Sequence, residues 1–267
     1  MVVCSLSGGL GNNLFQLANI INISNNIGTD FKTNGVPSRG MFGNYNGHTF
    51  EYLNIFEDIG FINNDINVTQ VYNHKDLNPN DDFKYREVPA QDNTIYNGYF
   101  QSDKYFSDIN ILDYFKIKDS IINSVKEKYE IEGLSTSIHF QYGQDRASQQ
   151  LQHFHKNVDR DYYEKAMGII GDLGKTYIVS NNIPQVKKIM GNLLTSDMIF
   201  VDDSMENSFV LMTQCTNNII GNSTFSWWSA YLNENNKKVI APKSQWFGPG
   251  YSHYNTDDLI SSDWVCL

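Results

Sequence analysis

From residue 134 onward, short apolar runs alternate with longer stretches in which apolar residues return every three or four positions. The runs predict strands over 136–140, 175–180, 198–201, 218–221 and 237–241. The periodic stretches predict helices over 161–171, 184–193, 204–216 and 224–234. Short strands alternating with helices of ten or so residues predict an α/β fold with a doubly wound parallel sheet. In such sheets the ligand crevice lies beyond the carboxyl ends of the strands, here loops 141–146, 180–183, 202–204 and 222–224. Asp159-Arg160-Asp161 has a metal-binding spacing, but Glu164 follows Asp161 by three residues at a helix start. Asp161 is therefore expected as a helix cap.

The first half is less regular. Val2, Val3 and Leu6 predict a strand running into Ser7-Gly8-Gly9-Leu10-Gly11, followed by a helix with Leu14, Leu17, Ala18 and Ile21 on one face. Glycines in such a turn let backbone approach a ligand closely. Leu14 stands where a dinucleotide fingerprint would end in glycine, and no Gly-Lys-Ser/Thr closes a Walker loop. Residues 60–92, rich in Asn and Asp with Pro79 and Pro89, predict long loops with short strands. A buried strand is expected over 94–101, then a cap at Ser102-Asp103 and a connecting helix over 119–130. The domains are expected at 1–133 and 134–267.

Composition narrows the partners. Twenty basic against thirty acidic residues give a net charge of −10, which argues against nucleic acid or an anionic membrane surface. The amino terminus reads as a strand, so neither a signal peptide nor an integral membrane segment is expected. Three widely spaced cysteines, Cys4, Cys215 and Cys266, do not form a disulfide framework. His153 and His155 lack a third ligand and read as surface residues. Nothing in the pattern sets the oligomeric state.

The chemistry concentrates after the strand at 218–221. Gly221 ends it, and Asn222-Ser223-Thr224 opens a helix carrying Trp227, Trp228 and Tyr231. Unsatisfied N–H groups and the helix dipole make such a start a site for an anion, phosphate above all. The same residues also suit an ordinary N-cap, and paired tryptophans suit a core. Asp202-Asp203 follows another strand end, where a guanine or ribose contact and a solvated loop are both open readings.

Five blocks in order resemble one family: Gly8-Gly9-Leu10-Gly11-Asn12-Asn13-Leu14-Phe15-Gln16, Gly98 to Phe106, Asp161 to Ala166, Asn222 to Leu232, and Ala241 to Phe247. Together they are similar to the alpha-1,2-fucosyltransferases, glycosyltransferase family 11. The resemblance implies a GT-B-like fold of two Rossmann-like halves, with the donor bound mainly by the second half and the acceptor by the first. It implies an inverting, metal-independent transfer of fucose from GDP-fucose to a galactose-containing glycan, with no cofactor, in a cytoplasmic protein. The partners implied are a nucleotide sugar and a glycan acceptor.

One motif departs from the family. Where His-x-Arg-Arg-Gly-Asp is expected, this chain reads His139-Phe140-Gln141-Tyr142-Gly143-Gln144, so both arginines are gone. Charge building on the leaving diphosphate needs a cation or oriented donors, and an arginine fork matches phosphate oxygens. Arg146 is one of four arginines and the candidate replacement; Asp145 is the candidate base, and His139 the candidate contact to phosphate or sugar. The donor set is completed by Gly9, Gly11, Asn12, Gln141, Gly143, Asp202, Asn222, Ser223, Thr224 and Phe225, with no metal ligand. The altered motif leaves two other readings open: a different nucleotide-sugar donor, or a non-catalytic nucleotide- or carbohydrate-binding relative.

Overall fold

A computed structural model of the protein describes residues 1–38, 50–57, 68–75, 83–143 and 148–267. The chain divides into two compact units, Met1–Lys116 with Tyr254–Ser261, and Ile117–His253 with Ser262–Leu267. Pro79, part of 60–92, Asp145 and Arg146 lie outside the described residues.

The first unit holds β1 (Val2–Ser7), α1 (Leu10–Ile27), β2 (Phe31–Ser38), β3 (Gln70–Asn73) and β4 (Thr94–Asn97). The strands form one parallel sheet in the order β2-β1-β4-β3. β1 buries Val2, Val3, Cys4 and Leu6, as a central parallel strand must. α1 differs from the single apolar face expected: Asn13, Gln16, Asn19 and Asn22 are buried too. Gln16 shows how a polar residue is accommodated there. Its Oε1 accepts from the Ser7 N–H at 2.9 Å, and its Nε2 donates to Ser7 Oγ at 2.9 Å and the Gly98 carbonyl at 3.1 Å.

β4 is shorter than the strand read over 94–101. It stops at Asn97, because Gly98 packs so closely on His74 that a Cβ there would lie 2.6 Å from the His74 Cβ. Phe100 then takes a left-handed φ of 52°. Ser102 caps a short 3-10 helix, Asp103–Phe106, as expected, its Oγ accepting from Lys104 N–H at 3.3 Å. β3, a four-residue edge strand exposed along most of its length, falls in the stretch 60–92 where short strands between loops are expected.

In the second unit come α2 (Asp119–Tyr129), β5 (Ser135–Phe140), α3 (Gln149–Gln152), α4 (Arg160–Ile170), β6 (Lys175–Ser180) and α5 (Ile183–Met190). They are followed by β7 (Ile199–Val201), α6 (Met205–Gln214), β8 (Asn217–Ile219), α7 (Thr224–Tyr231), β9 (Lys238–Ala241) and β10 (Val265–Cys266). All strands are parallel, in the order β10-β9-β8-β5-β6-β7. The register sets Ile138 beside Ile178 and Ile219, and His139 beside Val179.

The two faces bury different chemistry. Ile138, Phe140, Ile178, Ile219 and Ile240 pack with Tyr162, Tyr163 and Ala166 of α4 and with Val186 and Met190 of α5. The opposite face carries α6, with α2 and α7 packed on it. There Asn218 donates to Ser137 Oγ and to the Met212 carbonyl, both at 2.8 Å. One expectation is corrected. Asp159, not Asp161, caps α4, its Oδ1 accepting from Tyr162 N–H at 3.0 Å. Asp161 sits inside the first turn, where its charge still favours the helix dipole.

Candidate functional site

Three strand ends meet around the turn that follows β8. Alternation along β5 puts Ser137 and His139 on the α6 face and, continued past the strand end, Gln141 with them. His139 is buried, with its ring 5.7 Å from that of Phe225 and its carbonyl accepting from the Tyr163 hydroxyl at 3.1 Å. Gly221 fits against it: an added Cβ would come within 3.0 Å of the His139 carbonyl and 3.3 Å of Nδ1. The Tyr162 hydroxyl lies 2.7 Å from the Ile220 carbonyl and 2.8 Å from that of Ile240. Burial raises its pKa well above the usual phenol value, so it stays a neutral donor.

α7 starts from this fixed turn. Ser223 is its N-cap, the Oγ accepting from Phe225 N–H at 3.3 Å. Ser223, Thr224 and Phe225 are half-buried, while Trp227 and Trp228 are fully buried in the core. The Phe225 ring packs on Phe209 of α6, centroids 5.3 Å apart. Asn222 has another task. Its Nδ2 donates to the carbonyls of Lys156 at 2.8 Å, Gln245 at 3.0 Å and Trp246 at 2.9 Å. That side chain fastens the turn to two other segments.

The altered motif splits into two roles. Tyr142 is a core residue, its hydroxyl donating to the Val158 carbonyl at 2.8 Å. Its main chain is held by β6's exit: Tyr142 N–H donates to Asn181 Oδ1 at 3.2 Å, and Asn182 Nδ2 donates to the Tyr142 carbonyl at 3.2 Å. Gln141 is half-buried and Gly143 buried. Asn181 and Asn182 were missed individually, because nothing in an asparagine-rich sequence marks these two. The Lys156 carbonyl accepts from Asn222, so the main chain at residue 156 lies beside the turn, 66 residues away in sequence.

Asp202 is exposed at the end of β7, while its neighbour is spoken for. Asp203 Oδ2 accepts from Lys128 Nζ at 2.8 Å and the Tyr129 hydroxyl at 2.9 Å; Oδ1 accepts from Ser204 N–H at 2.8 Å and Asn207 Nδ2 at 3.0 Å. Desolvation alone would raise its pKa, but these donors outweigh it and bring it to about 2.

In the first unit the glycine turn is built for a close backbone approach. Gly8 has φ 79°, and a Cβ there would lie 2.3 Å from Asn12 Nδ2. Gly9 is the exposed N-cap position of α1, and Gly11 is buried. Asn12 Oδ1 accepts from Gln101 Nε2 at 2.9 Å, which fixes the orientation of the amide. Among the described residues no three His, Cys, Asp or Glu side chains are grouped to hold a metal ion. No helix among them is long and apolar enough to cross a membrane.

A family model described as glycosyl transferase family 11 matches residues 61–267. The chain belongs to this family. It is 27% identical over 192 residues to the O-antigen biosynthesis glycosyltransferase WbnK of Escherichia coli, covering 65% of this chain and 62% of that protein. The match thus spans less than two thirds of the relative's length. The fucosyltransferase NodZ from Bradyrhizobium superposes with a TM-score of 0.58 at 16% identity, over 90% of this chain and 94% of that one. POFUT1 in complex with GDP gives 0.55 at 11% identity, over 90% of this chain and 97% of that one. The fold is therefore that of the GT-B fucosyltransferases.

Proposed function

We propose that this family 11 protein transfers fucose from GDP-fucose to a galactose-containing glycan, with inversion, without a metal, and in α-1,2 linkage. The observation that carries the reading is the family match together with the β8–α7 turn, where His139, Gly221 and the Ser223 cap converge. A GT-B relative in the same structural group, NodZ, was crystallised and soaked with GDP-fucose.

In this reading the diphosphate lies at the start of α7, held by main-chain N–H groups and the Ser223 and Thr224 hydroxyls. Phe225 and the buried His139 form the floor, Gln141 and Gly143 border it, and Asn222 holds the turn rigid. Asp202, at the β7 end, takes the nucleoside. The family resemblance also assigns Gly9, Gly11 and Asn12 of the glycine turn to donor binding. The acceptor hydroxyl attacks the anomeric carbon and its proton passes to Asp145. The bond from that carbon to the phosphate oxygen breaks, and GDP leaves with the electron pair. Arg146 or Lys156 supplies the positive charge that neutralises the leaving group. A cytoplasmic location belongs to the same reading.

The buried Tyr142 favours weighing a second reading, because a core tyrosine now occupies one motif-arginine position. A donor screen with purified protein separates the two. Release of GDP from GDP-fucose with a galactoside present supports fucosyl transfer. Turnover of another nucleotide sugar alone replaces it, and no turnover with retained GDP binding marks a non-catalytic relative.

A further inference from the structure

We infer that Asn181 and Asn182 are positioning residues for the donor: with Ser180 they fix the main chain around Gln141, so that its amide meets the diphosphate. This rests on the donor reading above. Three consecutive side chains at the exit of β6 hold three successive peptide groups of the altered motif. Ser180 Oγ donates to the Phe140 carbonyl at 2.9 Å. Asn181 Oδ1 accepts from the Tyr142 N–H at 3.2 Å, and Asn182 Nδ2 donates to the Tyr142 carbonyl at 3.2 Å. Gln141 is the residue they bracket.

Its own side chain is left uncommitted. The Gln141 amide is half-buried and makes no hydrogen bond among the described residues. Gln16 is the contrast, its amide engaged with Ser7 and Gly98 inside the first unit. A pinned backbone that carries an unengaged amide at a strand end presents that amide to a ligand. The clamp is itself anchored. Asn182 caps α5, its Oδ1 accepting from the Gln185 N–H at 3.2 Å, and its own N–H donates to Ser180 Oγ at 3.1 Å.

Place and chemistry both point to the diphosphate. The β5–β6 register closes at Phe140 and Ser180, and the next residue, Gln141, stands on the His139 face. β5 lies between β8 and β6 in the sheet. Gln141 is thus about one strand spacing, roughly 5 Å, from the turn that opens α7, on the side toward Asp202. A neutral amide donates only at hydrogen-bond distance and near-linear geometry, whereas the charge of an arginine reaches further. A site with Gln141 in the place of a motif arginine therefore depends more on a rigid main chain.

The test is GDP titration by calorimetry of Asn181→Ala, Asn182→Ser and Gln141→Ala, and of each Asn variant combined with Gln141→Ala, with thermal melts alongside. Serine keeps an N-cap for α5 but has no amide to offer the Tyr142 carbonyl. Each single variant is expected to raise the GDP dissociation constant roughly tenfold. Neither Asn variant should weaken binding further once Gln141 is alanine, because positioning acts through that side chain. Wild-type affinity in both Asn variants overturns the inference. So does a loss that persists in full without the Gln141 amide, which marks a purely structural clamp, and so does unaltered binding by Gln141→Ala. Should Asn182→Ser melt early, Asn181→Ala, at an exposed position, decides alone. If the wild-type protein binds no GDP, the donor reading itself fails and the inference falls with it.

Discussion

The carbonyl oxygen of His139 lies 3.0 Å from the point where a side chain on Gly221 would begin. The ends of β5 and β8 are therefore pressed together at the mouth of the candidate donor site. Gly221→Ala must push them apart, at a cost of about 1–3 kcal/mol for overpacking. A lowered melting temperature and weaker GDP binding are expected. Unaltered values in both would show that the contact is slack.

Asn222 should matter through the carbonyls it holds rather than through a ligand. Asn222→Ala leaves three of them without this donor and is expected to cost about 1–3 kcal/mol. Asn222→Asp should be worse, because a carboxylate would face three carbonyl oxygens. Denaturant unfolding of both variants tests the order. An Asp variant as stable as the wild type contradicts it.

Gln141 stands on the His139 side of the altered motif, whereas Tyr142 points into the core. Restoring charge at the first position, Gln141→Arg, should raise transfer by about 10²–10³-fold if the natural site lacks a diphosphate cation. An unchanged rate would mean that another cation already serves. Arg146→Ala and Lys156→Ala would then identify it by which one loses activity.

Asp203 ties α2 to the start of α6 through Lys128 and Tyr129. Its folded pKa of about 2 is below the unfolded value of roughly 4. The carboxylate thus contributes stability in full above about pH 4, and loses it as pH falls toward 2. Asp203→Asn should lower stability at neutral pH and flatten the stability profile across that acid window. A variant whose acid limb matches the wild type would exclude this role.

Much of the second unit could be read from residue pattern, since most of its apolar runs are central strands; β7, at the sheet edge and partly buried, was legible from its run Met198 to Val201 alone. The failures have local causes. β10 is an exposed two-residue edge strand, and so short an exposed run looks like loop. The cap of α4 moved from Asp161 to Asp159 because both carboxylates stand near the helix start, and only backbone geometry chooses between them. In the site, Gly221 and Ser223 were visible as a strand–turn–helix signal. Asn222 was read as a donor contact, and the three carbonyls it meets instead are 23 to 66 residues away. No short-range pattern carries that information.

Titration of the purified protein with GDP by calorimetry, with Ser223→Pro as comparison, tests the central claim most directly. Proline at the cap removes both the hydroxyl and the N–H of that position at the proposed phosphate seat. Micromolar binding by the wild type, worth about −8 kcal/mol, and its loss in a variant that still unfolds cooperatively is the expected result. Equal binding by both proteins, or none by the wild type at millimolar GDP, would contradict a diphosphate held at the start of α7.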